Sequence, residues 1–409
     1  MKQVKLEKIQ ANYLNCPIFT KEDIEKVLDQ IVRIVDHMLL KFHDDAFPTA
    51  SSINYVYGAI GNFDWSPSTN ISRSVWTNSF WTGILWLMYE YTQDDKYKLE
   101  AQKHSKSFRK RIEYYYNQDE EKAGLNHHDL GFLYSLSTVA DYKLTGSKQA
   151  LETSLMAAEL LSKRYIEKAK ILQAWGDMND ENQRGRMIID CNLNIPLLYF
   201  ANQFKKDNRF YEMAYNHAKQ AAKYIIREDG STFHTFHMDT ETGEPRFGST
   251  HQGYSDDSCW ARGQAWGILG FLISYQYTKD IEFLEKSKCL ANYFLNRLPK
   301  DHICNWDLIF ALDDGQRDTS AAAIAAIGLL ELSKECSLED ELKEIYYNAC
   351  LMITKSLSEN YLGDNLEGIL KSGVYNFNAN RGIDEYVIWG DYFFVELLMR
   401  LCRDWRSYW

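Results

Sequence analysis

The 409-residue chain is poor in the residues that interrupt regular structure: 22 glycines and 6 prolines leave few turn-makers, which points to a helix-rich fold. No uninterrupted apolar run reaches the roughly 18 residues of a membrane-spanning helix, and Met1 to Glu7 hold no apolar core of signal-peptide length. A cytoplasmic location without membrane attachment is therefore expected. Basic side chains are outnumbered 46 to 57, so the net charge of −11 argues against nucleic acid as a partner. The eight cysteines (Cys16, Cys191, Cys259, Cys289, Cys304, Cys336, Cys350 and Cys402) stand singly, with no C-x-x-C pair, and read as reduced, mostly buried thiols. Phosphate-binding glycine loops, the G-x-S-x-G of a serine hydrolase and H-E-x-x-H are all missing. No cofactor, no metal and no obligate protein partner is expected.

What the chain does have is aromatic side chains, 11 Trp, 27 Tyr and 20 Phe, and a repeat. Five times an apolar segment is followed by a short polar turn and then by an amphipathic, Lys- and Glu-rich segment. The turns lie at Tyr91–Asp95, Leu144–Lys148, Lys205–Asn208, Tyr277–Asp280 and Lys334–Ser337. The apolar segments start near Asn78, Asp129, Asp190, Asp257 and Asp318, and a sixth starts near Trp389, a spacing of roughly 50 to 70 residues. Ser320 to Leu332 is apolar nearly all round, whereas Leu338 to Ser356 carries a one-sided stripe. Inner helices buried on every side and outer helices half exposed describe an all-α ring of six hairpins. Lys21 to Phe42, with its own stripe from Ile24 to Leu39, supplies the outer partner of the last inner helix, so residues 1–409 read as a single domain. An open stack would need polar capping repeats, and Trp389 to Cys402 is too apolar to serve as one.

In such a ring the starts of the inner helices gather at one end. Asp129, Asp190, Asp256, Asp257 and Asp318 all fall at or just before those starts, where an Asp is also an ordinary helix cap. Their neighbours favour chemistry. His127 and His128 precede Asp129, and two carboxylates near one pocket floor would repel until one holds a proton at neutral pH. Between Trp175 and Trp266 lies a dense polar and aromatic stretch that includes His234, His237 and the run HQGYSDDSCWARGQAW from His251 to Trp266. Trp and Tyr faces stack on sugar rings and an Arg fork suits a carboxylate, so an acidic sugar is the indicated ligand. Trp76, Trp81 and Trp86 recur every five residues, which is no helical stripe; two belong to the core and one to the cavity.

Taken together, WTNSFWTGILWL, HHDLGF, AWGDM, IIDCNLN, HQGYSDDSCWARGQAW, RDTSAAAIAA and IWGDYF resemble the motifs of the unsaturated glucuronyl hydrolases, glycoside hydrolase family 88, in the family's order. The resemblance implies an (α/α)6 barrel and an enzyme that removes a 4,5-unsaturated uronic acid from lyase-generated glycosaminoglycan oligosaccharides, mainly disaccharides, by hydrating its vinyl ether. It implies Asp190 as general acid/base and Asp129 as the second essential carboxylate. It further implies Trp175 and Trp266 as subsite walls and His234, Gln252 and Arg262 around the unsaturated sugar, with Arg262 toward the uronate carboxylate. His128 and His251 fall near the site. After Gly373-Val374-Tyr375, family members that prefer sulfated disaccharides resemble Ser-x-x-Ser-x-Lys; here Asn376-Phe377-Asn378-Ala379-Asn380-Arg381 follows, so both serines are replaced and Arg381 stands in the lysine's place. Tyr375, Asn376 and Arg381 are accordingly candidate contacts to the second sugar. Two other readings remain open: hydrolysis of pectin-derived unsaturated rhamnogalacturonyl disaccharides, and an α/α-barrel sugar epimerase. A protein-binding scaffold would gain nothing from gathering Trp, His, Arg and Asp at one end of the ring.

Overall fold

Thr20 opens the first helix with a reciprocal cap: its hydroxyl accepts from the Asp23 N–H, and the Asp23 carboxylate accepts from the Thr20 N–H. The helix, α1 (Lys21–Leu39), buries Ile24, Val27, Leu28, Ile31, Ile34, Val35 and Met38 along one face and leaves the other to solvent. The computed structural model describes residues 4–10, 13–14, 18–62, 75–117, 123–311 and 314–409. Cys16 lies outside them.

Five hairpins follow. Inner α2 (Asn78–Thr92) returns through outer α3 (Asp95–Asn117). The second inner element is α4 (Leu130–Tyr134), a π-helical turn at Ser135–Val139 and α5 (Ala140–Thr145), with α6 (Lys148–Ser162) outside. The third is a 3-10 turn, Ile189–Leu193, leading into α7 (Pro196–Asn202), with α8 (Arg209–Tyr224) outside. Pro196 opens α7 where its missing N–H costs nothing. Then come inner α9 (Ala261–Thr278) with α10 (Ile281–Leu295), and inner α11 (Thr319–Glu335) with α12 (Leu342–Asn360). The last inner helix, α13 (Ile388–Cys402), packs against α1.

Neighbouring inner helices touch all the way round: α2 with α4, α4 with α7, the 3-10 turn with α9, α9 with α11, α11 with α13, and α13 with α2. The ring is closed, an (α/α)6 barrel. The burial contrast read from the sequence is present here: every residue of α11 from Thr319 to Ser333 is buried. The final residues fold beneath the ring, where the Trp409 indole stacks on Phe393 and meets the edge of Phe132. The seven described cysteines are free and buried. No helix among the described residues is long and apolar enough to cross a membrane.

The connections at the inner-helix N-terminal end hold short strands that helical periodicity did not show. β1 (Ala46–Pro48) pairs with β2 (Ala59–Gly61), and β3 (Tyr165–Ile166) with β4 (Ile171–Leu172), both antiparallel. A three-stranded antiparallel sheet runs β5 (Arg186–Ile188), β6 (Thr235–Met238), β7 (Pro245–Ser249), and a hairpin joins β8 (Gly373–Asn376) to β9 (Arg381–Glu385). β5 delivers the chain to Asp190, and the β8–β9 hairpin sets Asn376 opposite Arg381. Backbone pairing stiffens the segments that carry the candidate side chains.

Candidate active site

The second and third inner elements meet at Gly131. A β-carbon there would lie 2.2 Å from Asn194 Cα, so only glycine lets the two backbones come this close. Asn194 ties them together: its Oδ1 accepts from the Phe132 N–H at 2.8 Å and its Nδ2 donates to the Asp190 carbonyl at 3.3 Å. Asp129 and Asp190 therefore enter one cavity from adjacent helix starts.

The cap question now has different answers at different positions. Asp318 does cap α11, accepting from the Ser320 N–H, and it also pairs with Arg262 at 2.8 Å. Asp129 occupies the cap position of α4 without making a capping bond, and Asp190 Oδ1 is buried with no partner. Asp256 and Asp257 belong to the loop ahead of α9, which begins only at Ala261; there Asp256 accepts from the Thr250 N–H. Of the five, only Asp129 and Asp190 line the cavity.

Single oxygens of Asp129 and Asp190 and a ring nitrogen of His128 lie within 4.8 Å of one another, a spacing that would also admit a metal ion. His128 Nε2 is 3.5 Å from Asp129 Oδ1 and 3.5 Å from Asp190 Oδ1. Burial pushes His128 down to about 4, so the ring is neutral at pH 7. Burial raises Asp190 well above the usual carboxylate range, and the charge of Asp129 raises it further against the pull of Arg262. Burial also opposes ionisation of Asp129, but His128 and His127, with Asn194, hold it below its ordinary value. One carboxylate keeps a proton while its neighbour keeps a charge. That division suits an acid beside an electrostatic clamp.

Around this pair the cavity encloses about 570 Å³, within the range of small-molecule sites, and every site residue implied by the family resemblance lines it. His234 Nδ1 accepts from the backbone N–H groups of His251 and Gln252, at 2.8 and 3.3 Å. With the ring held neutral by burial, the proton sits on Nε2. Trp175 stands against His251, ring centres 5.4 Å apart, and the Arg186 guanidinium covers its face at 3.7 Å. Trp266 is set by Phe132 and Phe393. Tyr375 accepts the indole N–H of Trp76, which stacks on Trp389.

Two arginines differ from each other, and Arg262 departs from the sequence-based expectation. Arg262 lines the wall, but its terminal nitrogens already serve Asp318, the Val374 and Tyr375 carbonyls and Gln252 Oε1. The fork expected for a uronate carboxylate is occupied, because Asp318 on the neighbouring inner helix neutralises it; what it does is fix Gln252 and the β8 strand. Arg381 lies over the Tyr375 ring at 3.8 Å, and its Nε and Nη2 have no partner.

Trp76 is the tryptophan of its segment that reaches the cavity, while Trp81 and Trp86 are fully buried in the core. His237 is turned away, bonded to Ser249 and stacked on Phe247. The sequence reading did not single out Trp260, which meets the His234 ring edge-on, or Asn378, whose amide bonds the Gly253 carbonyl. Trp260 lay within a quoted motif and Asn378 within the run that follows Tyr375, but nothing in either run marked the residue itself.

The family model described as Glycosyl Hydrolase Family 88 matches residues 52–345. The chain is 43% identical to the unsaturated chondroitin disaccharide hydrolase of Streptococcus pneumoniae across the whole of both chains. Among solved structures it matches the unsaturated glucuronyl hydrolase of Streptococcus agalactiae with a TM-score of 0.93 and 41% identity, covering 100% of each. A mutant of that protein has been solved in complex with dGlcA-GalNAc6S. The glycosaminoglycan-degrading unsaturated glucuronyl hydrolase of Bacillus sp. GL1 matches with a TM-score of 0.84 and 37% identity over 93% of this chain and 97% of that one.

Proposed function

The chain belongs to glycosyl hydrolase family 88, and from that premise we propose that it removes the 4,5-unsaturated uronic acid from the non-reducing end of chondroitin-derived disaccharides. The observation that carries the reading is the pair of uncapped carboxylates, one holding a proton and the other a charge, inside an aromatic-walled cavity. Full-length similarity to unsaturated chondroitin disaccharide hydrolases favours this substrate over pectin fragments, and proton chemistry on an alkene separates it from epimerisation.

The chemistry follows from the charges. Asp190 gives its proton to C4 of the vinyl ether, and the positive charge that develops at C5 and the ring oxygen is stabilised by ionised Asp129. Water adds at C5 and returns a proton to Asp190. The resulting hemiketal opens by breaking the bond from C5 to the ring oxygen, and the hemiacetal left at C1 expels the second sugar. No bond to the anomeric carbon is attacked, so carboxylate separation says nothing here about retention or inversion.

The Trp175 and Trp266 faces flank the unsaturated ring, and His234 offers its Nε2–H. Arg381 lines the cavity with Asn376, its buried Nε and Nη2 are without a partner, and it suits a sulfate on the second sugar. Residues 1–409 act as one catalytic domain that includes α1, and the free cysteines suit a reducing compartment, the cytoplasm. The alkene absorbs in the near ultraviolet. Purified protein should bleach that absorbance on unsaturated chondroitin disaccharide, and Asp190→Asn should not; undiminished turnover by the variant would refute the assignment.

A further inference from the structure

Two buried ring nitrogens lack partners: Nδ1 of His128, which lines the cavity beside the catalytic pair, and Nε2 of His217, which does not line it. His217 stands on outer helix α8, fully buried. The backbone N–H of Leu172 donates to its Nδ1 at 2.9 Å, so the single proton of the neutral ring belongs on Nε2, the nitrogen without a partner. Two residues further on, the Ala174 carbonyl accepts from the His128 N–H at 2.8 Å. One short segment thus holds both histidines, close enough for the charge on one ring to act on the other. An orphan donor on His217 and an orphan ring nitrogen on His128 share one region, and buried polar atoms of this kind are normally satisfied by protein or by an ordered water.

We infer that His217 is a positioning residue for the catalytic carboxylates: its Nε2–H, bridged by one buried water to His128 Nδ1, fixes His128 as the tautomer whose Nε2–H faces Asp129 and Asp190. The Leu172 backbone N–H sets the first ring, the first ring sets the second, and the second presents a donor to both carboxylates. With the opposite tautomer, His128 would turn a lone pair toward the pair. That lone pair would draw the Asp190 proton away from C4 and leave Asp129 without one of the groups that keeps it ionised. The charged or titratable groups acting on His128 are Asp129, Asp190, His127, Arg164, His234 and His217, and His128 is the group acting on His217.

The catalytic consequence rests on the proposed function; the tautomer does not, so the two can fail separately. Nitrogen-15 NMR of the histidine rings in the unliganded full chain should show the His128 proton on Nε2 at neutral pH. His217→Met keeps the bulk and removes the donor; His128 should then populate both tautomers. kcat should fall about tenfold or more with KM within about twofold, the scale of losing a supporting hydrogen bond. The acid limb of kcat/KM should move to higher pH, because Asp129 loses a donor that favours its charge. His217→Gln, which keeps an N–H₂ group, should restore part of kcat and return the acid limb. A His128 proton on Nδ1 in the wild-type protein would overturn the inference whatever the variants do. So would a folded His217→Met protein with unchanged tautomer and unchanged pH profile. If the methionine variant does not fold, the wild-type tautomer and the glutamine variant still decide. Nε2–H on His128 in a protein that leaves the unsaturated disaccharide untouched would uphold the positioning and refute the functional reading.

Discussion

Gly131 and Asn194 touch backbone to backbone, with only 2.2 Å between Asn194 Cα and the place a β-carbon on Gly131 would occupy. That contact sets how far apart Asp129 and Asp190 stand. Gly131→Ala must push the second inner helix start away from the third. We expect it to cost about 1–3 kcal/mol of stability, as overpacking does. A displacement near 1 Å at the carboxylates should cut kcat/KM about 100-fold. Thermal unfolding and steady-state kinetics on the same preparation test both.

Asp129→Asn should lower the pKa of Asp190. Burial alone would then hold Asp190 up, without the added repulsion of a neighbouring charge. The group that must be protonated would lose its proton at lower pH, so the alkaline limb of the residual activity should move down. A carbon-13 titration of the Asp190 carboxyl reads the same shift without turnover. An unmoved titration would mean that the two carboxylates do not communicate.

Arg381→Ala should raise KM about tenfold for sulfated unsaturated disaccharides, the loss of one charge-assisted hydrogen bond, and leave unsulfated ones within about twofold. Arg381→Lys keeps the charge but not the planar fork over Tyr375, and should fall between. Equal effects on both substrates would remove sulfate from the role of Arg381.

Asp318→Asn should leave the Arg262 guanidinium buried without its counter-ion. Both side chains are almost wholly buried, so about 3–5 kcal/mol should be lost, measurable as a lower denaturation midpoint. Gln252 and the β8 strand, held by the same guanidinium, should loosen with it, raising KM.

How much of this was legible in the sequence depends on the range of each interaction. Inner and outer helices were visible because burial on all sides and burial on one side leave different periodicities, as α11 and α1 show. The site was visible because its residues lie in short dense runs. The Arg262–Asp318 pair was not, since periodicity cannot match side chains 56 residues apart, and Arg262 therefore read as free for substrate. The fourth inner helix starts at Ala261 rather than near Asp257 because the preceding loop is held by Asp307: its carboxylate accepts from the Tyr254 and Cys259 N–H groups and the Ser258 hydroxyl. The short strands escaped because two to five residues are too few for an alternation to register. His217 is a single histidine on a helical stripe, and only its unpaired nitrogen makes it conspicuous.

The central claim is that Asp190 protonates C4 and the alkene, not the anomeric centre, is the point of attack. Real-time NMR of an unsaturated chondroitin disaccharide in D₂O tests it most directly. The account predicts that the C4 vinyl proton signal disappears before or in step with release of the second sugar, with deuterium arriving first on one face of C4, and that Asp190→Asn shows neither event. Release of the second sugar while the vinyl signal persists would contradict it.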